Sequence, residues 1–431
     1  MGNTVLHEAS KVGDIEKLIQ LLSEQSNIDI NAQDELGNAA LHYAAQEGHI
    51  EVIKLLLSHG ADINLQVQGQ YTNAALHFAV KKGHTEVVEL LLNCGADINL
   101  QGNVKQTPLM MAVRAGYIDV IKHLYIYKAD LGIPDAFGIP PLNAAVQKNN
   151  VEVVKVLLSY ITDPMLLDSA LHTAVQRSNT ILADILLANG ANVNSQDFFG
   201  NTPLSRAITN QAKECVKLLL SYKADINLQN NNGETPLVCN RFNIGINHAA
   251  MDTLLIAHIV KLEYCGVGVN TAGFRQNKAL ISQSPLLTEL EQKCQQEVQK
   301  MNSMKIGKST FFDIFVLTKD MNILARCANS SDIVQCSKVN FPIYDPFINE
   351  SIEKGKQRNA ALNNAVTSMN KILAPQSDEM LLSETSWSSL PNEIQYMILE
   401  HLSDEELIKI QSPGEEDSNV QVTGAHAIYD D

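Results

Sequence analysis

Small and apolar side chains recur along the first 270 residues in blocks of fixed length, each block broken at the same places. In one block Ala39-Ala40-Leu41-His42-Tyr43-Ala44-Ala45 is followed by the polar run Gln46-Glu47-Gly48-His49, and Val52, Leu55 and Leu56 then return at helical spacing. This pattern predicts two short helices. Gly48 stands where the first must stop in the left-handed conformation, and Ala44 and Ala45 are small enough to let a neighbouring helix approach closely. The Leu-His pair of the block stands at Leu6-His7, Leu41-His42 and Leu76-His77. The same slot continues as Leu109-Met110, Leu142-Asn143, Leu171-His172, Leu204-Ser205 and Leu237-Val238, at intervals of 35, 35, 33, 33, 29, 33 and 33 residues.

The punctuation between blocks is equally regular. Gly60-Ala61-Asp62-Ile63-Asn64 turns the chain out, and related exits stand at Gly95-Ala96-Asp97-Ile98-Asn99, Gly190-Ala191-Asn192-Val193-Asn194 and Ala224-Asp225-Ile226-Asn227. Thr107-Pro108, Thr202-Pro203 and Thr235-Pro236 place a capping hydroxyl before a proline at the first helical position, where the missing N–H costs nothing. Helix-turn-helix blocks with a period near 33 resemble ankyrin repeats. The resemblance implies an all-α solenoid of about eight repeats with β-hairpin loops over residues 1–270, stable only because each unit covers its neighbour. The last unit reads as a cap: it is irregular from Arg241 to Asn247, apolar near Met251 to Val260, and closed by Gly266-Val267-Gly268. Asn149 and Ser178 replace the helix-ending glycine, and the sixth repeat is four residues short.

Past residue 270 the period is lost and a small helical C-terminal region is expected. Leu287, Leu290, Cys294, Val298 and Met301 share one helical face, and Leu362, Val366, Met369 and Leu373 another. Pro375-Gln376-Ser377-Asp378 reads as a linker. Residues 387–407 open with Trp387-Ser388-Ser389-Leu390-Pro391 and resemble the start of an F-box, which implies contact with the Skp-type adaptor of a cullin-RING ubiquitin ligase through Leu390, Pro391, Ile394, Ile398, Leu399, Leu402 and Leu407. The apolar pattern fades after Ile410, so the third helix of a full F-box is missing. Ankyrin repeats followed by a shortened terminal F-box resemble the PRANC arrangement of poxvirus proteins and of obligate intracellular bacteria such as Orientia and Wolbachia. The closeness of the N-terminal repeats to the ankyrin pattern leans towards a bacterium. The organisation expected is a solenoid over 1–270, a helical PRANC-like region over 271–380, an F-box-like motif over 381–411 and a disordered acidic tail over 412–431.

That resemblance implies an effector delivered into a eukaryotic host cell, working in its cytoplasm or nucleus as a substrate receptor that holds a host protein on its repeats. The alternatives are a scaffold that sequesters or relocates that protein without degrading it, and an enzyme with an unrecognised site in residues 271–380. In ankyrin arrays the target lies against the first helices and the hairpin tips. Tyr43, Phe78, Met111 and Arg206 follow the Leu-His slot, Arg114 lies three residues further along its helix, and Phe137, Phe198 and Phe199 lie at tips. Aromatic residues and arginine are the usual anchors of an interface, so these eight are the expected target contacts.

Charge and cysteine usage narrow the partners. With 48 acidic against 32 basic residues the net charge of −16 disfavours nucleic acid. No apolar run is long enough to span a bilayer. Seven scattered cysteines (94, 215, 239, 265, 294, 327 and 336), without a Cys-x-x-Cys pair, read as reduced thiols. No signal segment is expected, and Gly2 lacks the Ser or Thr that myristoylation wants, Leu6 standing there instead. His7, His42, His77 and His172 could suggest a metal ladder but fall where an imidazole ties adjacent turns together. Residues 305–310 end like a phosphate-binding loop but have Asn302 where a glycine is needed, and Gly266-Val267-Gly268 lacks the setting of a dinucleotide site. No enzyme activity, cofactor or metal is expected.

Overall fold

Each predicted block folds as two helices joined by a short turn. The computed structural model describes residues 2–24, 28–67, 72–241, 248–306, 309–310, 312 and 344–372. The first three pairs are α1 (Gly2–Val12) with α2 (Ile15–Glu24), α3 (Ala40–Glu47) with α4 (Ile50–Ser58), and α5 (Ala75–Lys82) with α6 (Thr85–Asn93). Then come α7 (Pro108–Ala115) with α8 (Ile118–Ile126), and α9 (Pro141–Gln147) with α10 (Val151–Leu158). The sixth to eighth pairs are α11 (Pro164–Gln176) with α12 (Thr180–Ala188), α13 (Pro203–Thr209) with α14 (Lys213–Ser221), and α15 (Pro236–Arg241) with α16 (Ala249–Tyr264). First helices pack on first helices in chain order from α1 to α15, through the buried alanines 40, 44, 45, 75, 79 and 112.

The second helices bury a face that the sequence pattern places slightly wrong. Val52, Ile53 and Leu56 of α4 are buried, as are Val87, Val88 and Leu91 of α6, whereas Leu55 and Leu90 are only half-buried. At 100° per residue the buried face is centred between the first two of these and the leucine, leaving Leu55 and Leu90 at its margin. Turn chemistry follows the expectation. Thr107 Oγ1 accepts the Met110 N–H (3.2 Å) and Thr202 Oγ1 the Ser205 N–H (3.2 Å). Gly48 is left-handed (φ 85°), and so, without a glycine, are Asn149, Ser178 and Gln211 (φ 54°, 54° and 55°).

Between repeats the chain forms projecting hairpins, here called fingers, that are laced to one another. The Nε2 amide of Gln33 donates to the Gln66 carbonyl (2.8 Å), Gln66 to Gln101 (2.9 Å), Gln101 to Pro134 (3.2 Å) and Gln196 to Gln229 (3.0 Å). Asn31, Asn64, Asn99 and Asn194 accept the N–H of Asp62, Asp97, Asp130 and Asp225 on the next finger through Oδ1. The histidines of the Leu-His slot tie helix to finger: His42 Nδ1 accepts the Ala39 N–H (2.8 Å), which leaves Nε2 to donate to the Leu65 carbonyl (2.8 Å). His7, His77 and His172 place Nε2 on the carbonyls of Ala32, Gln106 and Ser195. Burial holds the imidazoles of His42 and His172 below their ordinary range and that of His77 down to about 4, keeping them neutral.

The short sixth repeat has a simple cause. Only residues 159–163 link α10 to α11, and α11 starts early, so a turn of helix capped by Asp163 stands where the other junctions have a finger. Asp168 on that extra turn accepts the Asn192 N–H (2.7 Å), the bond that a finger asparagine makes elsewhere. At the far end α17 (Ala272–Gln283) covers the last finger: Thr235 Oγ1 donates to Asn277 Oδ1, and Asn277 Nδ2 donates to Asn227 Oδ1 (3.0 Å) and to the Ile226 carbonyl (3.3 Å). Gly273 allows this approach, since a Cβ there would fall on the Asn227 carbonyl.

The chain divides into two units, residues 1–255 with 268–280, and residues 256–267 with 281–431. In the second unit α18 (Pro285–Ser303) buries Leu287, Cys294, Val298 and Met301, the face the sequence predicts, with Leu290 half-buried. Two-residue strands β1 (Lys305–Ile306) and β2 (Ser309–Thr310) pair antiparallel, so a helix and a ribbon occupy the region that resembles a phosphate-binding loop. The long helix α19 (Asp345–Ile372) buries Leu362 and Ala365, Val366 and Met369 lie on it, and Leu373 falls outside the described residues. Phe312 and Tyr344 are buried edge-on at 6.2 Å, Tyr264 meets Phe312 at 5.3 Å, and the Tyr344 hydroxyl donates to the Ala257 carbonyl (2.9 Å).

Candidate target-binding surface

The finger tips are built by one local device. Asp34, Asp135, Asp197 and Asn230 each accept, through Oδ1, the N–H groups two and four residues ahead, which folds the next residues into a tight turn closed by Gly37, Gly138, Gly200 and Gly233. The residues between the acid and the glycine cannot turn inward. Phe137 is 75% exposed, Phe198 90% and Phe199 63%, and the two adjacent phenylalanines meet edge-on at 5.5 Å. Leu36, 71% exposed at the same register on the first finger, belongs with them. The pattern Asp-x-x-Gly would have found it.

The slot residues on the first helices serve the fingers as well as facing them. The Tyr43 hydroxyl donates to Asp34 Oδ2 (2.6 Å), Arg206 Nε to Asp197 Oδ2 (2.7 Å) and an Arg114 terminal nitrogen to Asp135 Oδ2 (2.6 Å). The Asp135 carboxylate has no exposed surface, so Arg114 neutralises a buried charge and is no unengaged anchor. Phe78 lies against the His42 ring at 5.4 Å, and Met111 is half-buried. The structure therefore places the eight expected contacts in two classes: three apolar tips open to solvent, and five half-buried helix residues, of which Tyr43, Arg114 and Arg206 hold the fingers.

Beside Phe199 a cleft of about 300 Å³ lies between the last two fingers, lined by Asn201, Thr209, Asn231, Glu234 and Cys239 among others. Burial pushes the Cys239 thiol up to about 11, so it stays protonated at neutral pH and is a poor nucleophile. Cysteines 94, 215, 239 and 294 carry free thiols. Among the described residues no three His, Cys, Asp or Glu side chains converge as metal ligands, and no helix is long and apolar enough to cross a membrane. The adaptor-binding residues Leu390, Pro391, Ile394, Ile398, Leu399, Leu402 and Leu407 lie outside the described residues.

Comparison with known proteins agrees with this architecture. Models of ankyrin repeats match residues 6–57, 41–92, 76–124, 109–197 and 171–255, and the model of the PRANC domain matches residues 306–412. The putative ankyrin repeat protein FPV031 of Fowlpox virus (strain NVSL) is 32% identical over 246 residues, which cover 56% of this chain and 70% of the viral protein. The putative ankyrin repeat proteins FPV219 and FPV233 of the same virus are 29% and 28% identical over 57% and 56% of this chain. The matched span is 54% and 52% of their lengths. These relatives stand on the poxvirus side of the resemblance rather than the bacterial one. A solenoid of eight helix pairs with laced fingers, followed by the PRANC match, means that this chain belongs to the ankyrin-repeat proteins with a C-terminal PRANC domain, whose relatives include these fowlpox virus proteins.

Proposed function

We propose that this chain is a substrate receptor acting in the cytoplasm of a host cell, holding a host protein on its fingers and a Skp-type ligase adaptor on its C-terminal F-box-like segment. The observation that carries the reading is that the PRANC match over residues 306–412 takes in all seven expected adaptor contacts from Leu390 to Leu407, beyond an array of protein-binding repeats whose tips present exposed apolar side chains. Catalysis then belongs to the partner: the receptor brings target lysines to the ubiquitin-carrying enzyme by proximity. The contact with the adaptor follows helix-in-groove physics, in which a few apolar anchors carry the affinity.

Affinity capture from host-cell lysate tests both halves. Replacing Leu390, Pro391 and Ile394 together by Ala lowers adaptor capture roughly tenfold or more, while the target bound by the repeats is retained. Undiminished adaptor capture by the triple variant, or none by the native protein, overturns the ligase reading in favour of a sequestering scaffold.

A further inference from the structure

The cleft between the last two fingers lies where other fingers are filled from within. On the finger before α3 the Asp34 carboxylate takes the hydroxyl of Tyr43, two residues past the slot leucine Leu41, and on the finger before α13 Asp197 takes Arg206 at that same register. On the finger before α9 the side chain comes from the preceding first helix instead: Arg114, five residues past Leu109, reaches Asp135. The finger before α15 has neither. Cys239 stands two residues past Leu237 and Thr209 five residues past Leu204, so both registers hold short side chains, and both of these line the cleft of about 300 Å³.

The negative charge has moved along the same finger. Asn230 occupies the position of Asp34 and Asp197, and its Nδ2 donates to Oε2 of Glu234 (2.9 Å), which keeps a carboxylate on the cleft wall. Glu234 is half-buried and is the one charged side chain among those lining the cleft, and no lysine, arginine or histidine pairs with it among the described residues. Phe199 brings an exposed aromatic ring to the same cleft, and Asn231 adds a side-chain amide. A carboxylate without a cation, beside an aromatic ring, suits a guanidinium, which forms paired N–H bonds to the one and stacks on the other. Its planar, weakly hydrated form loses less on leaving water than an ammonium does. We propose that this cleft is a subsite for an arginine side chain of the partner, whose guanidinium takes the place that Arg114 and Arg206 fill on their own fingers. The assignment rests on the reading that the fingers hold a protein target, and the net charge of −16 favours a basic one.

Titration of the full-length protein with N-acetyl-arginine amide, followed through the backbone amide NMR signals of Phe199, Asn231 and Asn232, reads the subsite without any target protein. Saturable shifts with a dissociation constant on the order of millimolar are expected. Binding is at least roughly tenfold weaker for N-acetyl-citrulline amide, which keeps the shape without the charge, and for the Glu234→Gln variant, whose amide oxygen still accepts from Asn230. In Cys239→Arg the cleft is filled from within, and the probe no longer moves these signals. No saturable shift in the native protein, citrulline binding as tight as arginine, or undiminished binding to either variant overturns the subsite, whereas the target reading itself stands or falls on the lysate capture.

Discussion

Single residues in this protein act through where a helix or finger puts them. Leu56 and Leu91 have no exposed surface, so replacing either by Ala costs about 2–5 kcal/mol. Leu55 and Leu90, at the margin of the same face, cost roughly 1 kcal/mol. Thermal or denaturant melts that rank the pairs the other way would displace the core. His77 makes stability depend on pH. In the unfolded chain it takes up a proton as pH falls through its ordinary 6.5, while in the fold burial keeps it neutral down to about 4. Between those values the unfolded state binds more protons, so stability is full above 6.5 and is lost on acidification, by roughly 3 kcal/mol for this residue alone. A His77→Asn variant is less stable at pH 7 but shows a flatter dependence between pH 7 and 4. Parallel curves for the two proteins would exclude His77 as the source.

At the level of elements the turns and fingers carry costs that the helices hide. Ser178 and Gln211 hold left-handed backbone without being glycine, so Ser178→Gly and Gln211→Gly each raise stability by about 0.5–1 kcal/mol, the relieved strain outweighing the added freedom of the unfolded chain. A drop in melting temperature for both would mean that their side chains contribute more than the backbone strain costs. The far end of the array depends on one close approach. Gly273→Ala puts a methyl group onto the Asn227 carbonyl and forces α17 away from the last finger. The loss of the Asn277 bonds to Asn227, Ile226 and Thr235 should then cost roughly 2 kcal/mol or more, seen as faster exchange in residues 225–241 while α3 to α6 keep their protection. Unaltered exchange at residues 225–241 would show that α17 does not close the array.

For the whole molecule, binding and stability separate where a side chain stands in solvent. Phe137→Ser with Phe198→Ser should abolish target capture with little change in melting temperature, because both rings are in solvent. Arg114→Ala should lower both, since it uncovers the buried Asp135 carboxylate. Capture that survives the double tip substitution would move the target surface onto the helices. The helix pairs, their caps, the tying histidines and the aromatic tips were legible in the amino-acid order, because each rests on contacts within a few residues or on a repeat that restates them. The exact buried face was not. It depends on which neighbours close over a helix: Val52 and Leu56 are buried as the pattern has them, but Ile53 takes the place of Leu55. Nor was the engagement of Arg114, whose partner Asp135 lies 21 residues away on a finger, or the replacement of one finger by an extra turn of α11, which the sequence registers only as a repeat four residues short. Local periodicity thus determined the fold by itself. Only tertiary structure decided which of its repeated side chains are left free to meet a partner, because finger carboxylates tie down Tyr43, Arg114 and Arg206 while the tip turns hold Phe137 and Phe198 in solvent.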